Sequence, residues 1–208
     1  MDAIEVAALE ERIRRYCKEG DRTCAATALL EGYGRELLGF LIAHMRDEDA
    51  AAEVFSRFME DVWRGLDRFE WRCTARVWSY TLVRHAASRY RNAERRHRTR
   101  HVPLSQAGPL SEIAAKVRTA TLEACAGESR DRMVKLRETL PQDDQTLLIL
   151  RVSRKLTWKE IARVMADEGV STEEDLEKDA VRLRKRYQLA KEKLRRLAIE
   201  QGLVASKG

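Results

Sequence analysis

Proline is absent from the first 102 residues of this 208-residue chain and occurs only as Pro103, Pro109 and Pro141. Within a helix, proline removes a backbone hydrogen bond and clashes with the preceding turn, so a chain without it can stay helical over long runs. Nothing in the composition opposes that tendency. Ala, Leu, Arg and Glu are abundant, and β-branched residues never alternate with polar ones over the length of a strand. The expected fold class is all-α.

Apolar residues recur at helical spacing from Ala25 to Met45 and again from Asp49 to Phe69, where Phe55, Phe58, Met59, Val62 and Leu66 form one stripe. A third helix is expected from Ala75 to Arg96. These three predict an N-terminal helical bundle over residues 1–96. "HVPLSQAGPLSE" then brings two prolines, a glycine and little periodicity. With the weakly helical stretch after it, it makes residues 97–128 a partly helical linker.

A second helical domain is expected over residues 129–208. Thr157 and Glu160 have the spacing of a capping box, in which hydroxyl and carboxylate satisfy free amides at a helix start. Leu156, Ile161, Ala162 and Met165 supply a face to bury. In the last helix Leu183, Tyr187, Ala190, Leu194 and Leu197 share one face, which sends Arg182, Lys185, Gln188 and Lys193 to the others. Two helices so arranged predict a helix-turn-helix. The acidic run "STEEDLEKD" just before the basic part of the second would meet phosphate repulsion at the end by which recognition helices enter DNA. A bend near Asp179, with that residue as N-cap and the DNA-facing part starting at Ala180, is the favoured solution. One unbroken helix is the alternative, since Leu176 and Ala180 continue the apolar stripe.

"WSYTLVRHAASRYRN" (residues 78 to 92) mixes large aromatics with arginines. Part of it must be core, with Val77, Leu82, Val83 and Ala86 calling for burial. The remainder suits an unpaired nucleic-acid strand: Trp71, Trp78 and Tyr80 as stacking surfaces, and Arg72, Arg76, Arg84, Arg89 and Arg91 on the strand backbone. Each stacked base is worth roughly 1–3 kcal/mol, and a basic groove attracts any sequence. Ser79, Thr81 and His85 interrupt the wide apolar face that a membrane-surface helix needs.

Other classes find little support. The excess of 40 Lys and Arg over 34 Asp and Glu fits an anionic partner. The longest strongly apolar run, Leu37–Ala43, is far below the roughly 20 residues that cross a bilayer, and the acidic N-terminus lacks the features of a signal peptide. A cytoplasmic protein is expected. Cys17, Cys24, Cys73 and Cys125 form no Cys-x-x-Cys pair, so no metal and no cofactor are expected. No phosphate loop, zinc-protease motif or nucleophile motif occurs, and the chain does not read as an enzyme.

With these features in sequence order, the chain resembles a bacterial RNA polymerase sigma factor of the extracytoplasmic-function type, over about Leu29 to Leu197. "DEDAAAEVFSRFMEDVWRGLDRF" is similar to the helix that meets the polymerase clamp. "EWRCTARVWSYTLVRHAASRYRNAERR" is similar to the part that opens the minus-10 element, and the C-terminal helix pair to the minus-35 reader. The resemblance implies that Trp71, Arg72, Cys73 and Thr74 form a loop that captures an extruded base. Arg76, Trp78, Tyr80, Arg84, His85, Arg89 and Arg91 would follow on the strand. Arg182, Arg184, Lys185, Arg186, Gln188 and Lys193 would read duplex DNA, and Glu53, Val54, Ser56, Arg57 and Asp61 would bind polymerase. His85 stands where the family usually has Asn, and Ser56-Arg57 where Gln-Glu is usual. The implied partners are core RNA polymerase, through its β′ clamp and β flap, promoter DNA in duplex and single-stranded form, and an anti-sigma factor as a further candidate. A stand-alone helix-turn-helix regulator is the alternative, and an RNA-binding adaptor a third reading.

Overall fold

The computed structural model describes residues 2–96, 117, 121, 135–166 and 172–203. Every element among these residues is helical. By its internal contacts the chain divides into two compact units, Met1–Cys125 and Ala126–Gly208.

In the first unit four helices follow one another: α1 (Ala3–Lys18), α2 (Arg22–Met45), α3 (Glu48–Gly65), a 3-10 turn (Leu66–Arg68) and α4 (Ala75–Arg96). Aspartates start the first three. Asp2 and Glu5 make a capping box, Asp21 accepts from the Cys24 amide, and Asp47 accepts from the Ala50 amide. Helix α2 is the hub, packed against α1, α3 and α4. That position explains why its sequence is apolar nearly all round, with Leu29, Leu30, Tyr33, Leu37, Leu38, Phe40 and Leu41 buried. The expected α3 stripe is buried at Phe55, Phe58, Val62 and Leu66, while Met59 is half-buried. Helix α1, not among the three helices expected for the bundle over residues 1–96, contributes buried Leu9 and Ile13.

Helix α4 is started from a distance. The Glu10 carboxylate on α1 accepts from the Ala75 and Arg76 amides at 2.7 and 3.0 Å and from the Tyr33 hydroxyl at 2.7 Å. Thr74 Oγ1 accepts from the Val77 amide as a local cap. Burial, and then the bond to Glu10, push the Tyr33 phenol upward, which keeps it protonated and donating. One turn later Glu36 on α2 receives both the Arg76 guanidinium and the Tyr80 hydroxyl.

Val117 and Thr121 fall inside the expected linker but belong to the first unit. A Cβ on Gly34 would stand 3.2 Å from both Val117 methyls, so glycine admits this close approach to α2. The rest of the expected linker lies outside the described residues.

The second unit contains α5 (Gln142–Leu148), a π turn (Ile149–Ser153), α6 (Trp158–Met165) and α7 (Glu173–Glu200). Thr157 and Glu160 form the expected capping box. Leu156, Ile161 and Ala162 are buried as expected; Val164 is buried too, while Met165 is half-buried. Helix α7 is unbroken over 28 residues, roughly 42 Å. The expected bend at Asp179 is absent: Thr172 is the N-cap, closing a box with Asp175, and Asp179 pairs with Arg182. Leu176, Leu183 and Ala190 bury one continuous stripe, and a break would interrupt it.

Glu10→Ala is expected to cost about 3 kcal/mol in urea unfolding, because charge-assisted bonds are lost and the buried Tyr33 hydroxyl is left unsatisfied. Glu10→Gln, which keeps an acceptor oxygen, is expected to cost less.

Candidate nucleic-acid interface

The segment between α3 and α4 is built on three aromatics, Trp78 stacked on Phe69 and Trp71 tilted against it. Phe69 lies between two tryptophans, 4.7 Å from Trp71 and 4.6 Å from Trp78, the latter at an interplanar angle of 17°. Trp78 also lies over Gly65, where an added Cβ would come within 2.9 Å of the indole. Trp71 holds a left-handed backbone, φ 57°. For a bulky L-residue this costs about 1–2 kcal/mol, a strain that persists only where the surroundings enforce it. They do so here through Phe69 and through the Arg14 guanidinium, 5.5 Å from the Trp71 ring centroid. The sequence marks Phe69 only as the end of a helix, although its place two residues before Trp71 in "FEW…VWSY" was the available signal.

The expected minus-10 residues divide by environment. Arg72 and Thr74 are exposed, and Trp71, Cys73 and Trp78 are half-buried around the aromatic stack. Tyr80 departs from expectation. Its ring is fully buried, edge-on to Phe40, with the hydroxyl on Glu36, so it offers no face to a base and is a core residue. Two of the arginines are tied into the bundle, Arg76 to Glu36 on α2 and Arg89 to Asp61 on α3, whereas Arg72 pairs with the exposed Glu70 of the same loop.

Arg91 donates to His44 Nε2 at 2.7 Å, and the His44 ring stacks on Phe40. Burial, and then the charges of Arg91, Arg84 and Arg46, hold the His44 pKa down to about 3. Its ring is therefore a neutral acceptor amid three guanidinium groups. His85 is half-buried on α4. The basic continuation beyond Arg96 lies outside the described residues.

The expected polymerase-facing residues lie on α3. Val54 is corrected: it is fully buried, so it is part of the core and has no surface for a partner. Glu53 pairs with Arg57, whose guanidinium lies 5.3 Å from the Tyr90 ring centroid on α4. Ser56 is exposed and donates to the Ala52 carbonyl. Asp61 holds Arg89.

In the second unit Arg182, Arg184, Lys185, Gln188 and Lys193 are all exposed on α7. Arg186 differs, being half-buried and paired with Asp143 and Asp144 on α5. Two exposed apolar residues, Val181 and Leu189, flank Lys185 at four-residue spacing and so share its face. The acidic N-terminus of α7 is partly neutralised, with Glu173 held by Lys159 and Arg163 of α6 and Glu174 by Lys178. Acidic residues also suit the positive end of the helix dipole. The exposed basic band therefore begins in the third turn of α7, not at its tip.

Among the described residues no His, Cys, Asp and Glu cluster could hold a metal ion, and no helix is long and apolar enough to cross a membrane. No protein-family model, curated protein or solved structure matches the chain.

Two predictions follow from packing and burial. Gly65→Ala forces its Cβ into the Trp78 ring and is expected to lower stability by about 1–3 kcal/mol, read as a lower melting temperature. The His44 pKa is lowered on folding, so the unfolded chain binds the extra proton first. The stability contributed by neutral His44 is complete above pH 6.5 and is lost as pH falls toward 3. Urea titrations between pH 7 and 5 are expected to show a slope of up to about 1.4 kcal/mol per pH unit. His44→Leu should flatten it.

Proposed function

We propose that this chain is a sigma factor of the extracytoplasmic-function type, acting in the cytoplasm to direct core RNA polymerase to its promoters. The observation that carries the reading is a juxtaposition within one chain. A strained, cation-flanked stack of Trp71, Phe69 and Trp78 occupies one unit, and a capped helix pair with an exposed basic band occupies the other. Aromatic faces suit unpaired bases, and a helix bearing Arg, Lys and Gln suits a major groove.

In this reading Arg182, Arg184, Lys185, Gln188 and Lys193 meet the upstream duplex element through the middle of α7. Val181 and Leu189 add apolar contacts of the kind thymine methyl groups accept. Trp71 and Trp78 hold bases of the opened strand, with Arg72, Arg84 and Arg91 supplying positive charge. Tyr80 acts indirectly, fixing α4 through Glu36. The exposed Ser56 of α3, with the half-buried Glu53–Arg57 pair beside it, faces polymerase. Polymerase performs the chemistry; this chain selects the start site and recovers part of the cost of unstacking a base.

The alternative regulator would use the exposed α7 band as a duplex reader and leave the aromatic stack without a task. Run-off transcription with core polymerase and a library of random promoters separates the two. Start sites sharing two spaced upstream elements are expected. Specific duplex retention by the protein alone, with no transcription, would point to the regulator. On a promoter so found, Trp71→Ala is expected to lower open-complex formation about tenfold, in line with the loss of one stacked base, as read by permanganate reactivity. Lys185→Ala is expected to weaken duplex binding about tenfold.

A further inference from the structure

Val117 and Thr121 belong to the first unit although they lie well beyond the end of α4. Both are helical, and the Thr121 hydroxyl donates to the Val117 carbonyl one turn back, at 2.6 Å. Thr121 is buried and Val117 half-buried. The place they cover is prepared for them. Gly34, itself buried, stands inside α2 between Leu30 and Leu38, with which it shares a face at four-residue spacing. Glycine within a helix costs stability relative to alanine. Here it leaves a notch: an added Cβ would stand 3.2 Å from both Val117 methyls and 3.7 Å from the Phe55 ring of α3. Val117 therefore sits on the seam where α2 and α3 meet. Ser56, exposed, is the next residue of α3 after Phe55, so a partner laid on Ser56 reaches the edge of the same seam. The buried Thr121 hydroxyl is satisfied within its own turn, and lifting that turn leaves the bond intact.

We propose that the turn carrying Val117 and Thr121 is an autoinhibitory cover, held on the α2–α3 seam in the free chain and displaced when core polymerase docks on α3. The proposal rests on the sigma-factor reading for the identity of the partner. Because the cover is tethered, it competes at an effective concentration of about 1 mM. A partner that binds only the uncovered chain is weakened by the fraction of chain that is uncovered. With about one chain in ten uncovered, the native protein binds polymerase about tenfold more weakly than a chain whose cover is released. The same ratio gives the detached segment a dissociation constant of about 0.1 mM for the bare seam.

The test compares the native full chain with Val117→Asp and Thr121→Asp, each of which puts a charge where the cover is docked. Equilibrium binding to core polymerase is followed by anisotropy of the labelled chain. Both variants are expected to bind about tenfold more tightly than the native chain, a gain that a damaged fold does not produce. In a second arm, independent of polymerase, a fluorescent peptide of residues 111–124 is titrated with each chain. It is expected to bind Val117→Asp, to bind the native chain far more weakly, and to lose binding when Gly34→Val fills the notch of the Val117→Asp chain. Added to the polymerase assay at about 1 mM, the unlabelled peptide should return Val117→Asp to the native affinity. Equal or weaker polymerase binding by both variants would overturn the proposal and leave the sigma-factor reading to its own transcription test. Failure of the peptide to bind any chain would also overturn it. Absence of polymerase binding by every chain would overturn the sigma-factor reading instead, and the peptide arm would still decide whether the seam is covered.

Discussion

The first unit depends on a carboxylate at position 10. Glu10 sits on a helix that ends more than fifty residues before α4 begins, yet it receives the first two amides of α4 and the hydroxyl of the buried Tyr33. Charged acceptors make the stronger hydrogen bonds, and buried donors are costly to leave unmet. One side chain thus ties α1 to α2 and sets where α4 starts. Glu36 repeats the device a turn further on, gathering Arg76 and Tyr80. With α4 anchored twice, the position of Trp78 is settled, and the stack on Phe69 and Trp71 follows from it.

This anchoring changes the meaning of the arginines. A basic, aromatic helix reads in sequence as a positive surface, but two of its charges are spent on pairs with other helices, Arg76 with Glu36 and Arg89 with Asp61. The aromatic stack takes its nearby positive field from elsewhere, chiefly from α1, whose Arg14 and Lys18 border it. The second unit shows the converse. An acidic segment that looks hostile to DNA is drawn onto α6 by Lys159 and Arg163, and the exposed basic band lies further along the same helix. In both units the relevant quantity is the charge left exposed after internal pairing, not the charge written in the sequence.

Helix content, the α3 stripe and the Thr157 capping box were legible because each rests on neighbours within a few residues, where periodicity and local hydrogen bonding act. The same locality explains what was misread. Whether α7 bends at Asp179 is decided by the continuity of Leu176, Leu183 and Ala190 against their partners, and the acidic run could not reveal that. Tyr80 and Val54 carry side chains that suit a surface task or a core equally well, and only packing sent them inward.

By itself, then, the amino-acid order determined that this protein is helical, where α3 and α6 begin and which faces they bury, because those properties depend on proline placement, periodicity and caps within one or two turns. Tertiary structure alone decided which aromatic rings remain accessible, which guanidinium groups are neutralised and that α1 borders the aromatic stack. Those outcomes depend on contacts such as Glu10 with Ala75 and Arg14 with Trp71, between residues tens of positions apart. No local pattern records such pairs; they exist only once the helices have packed.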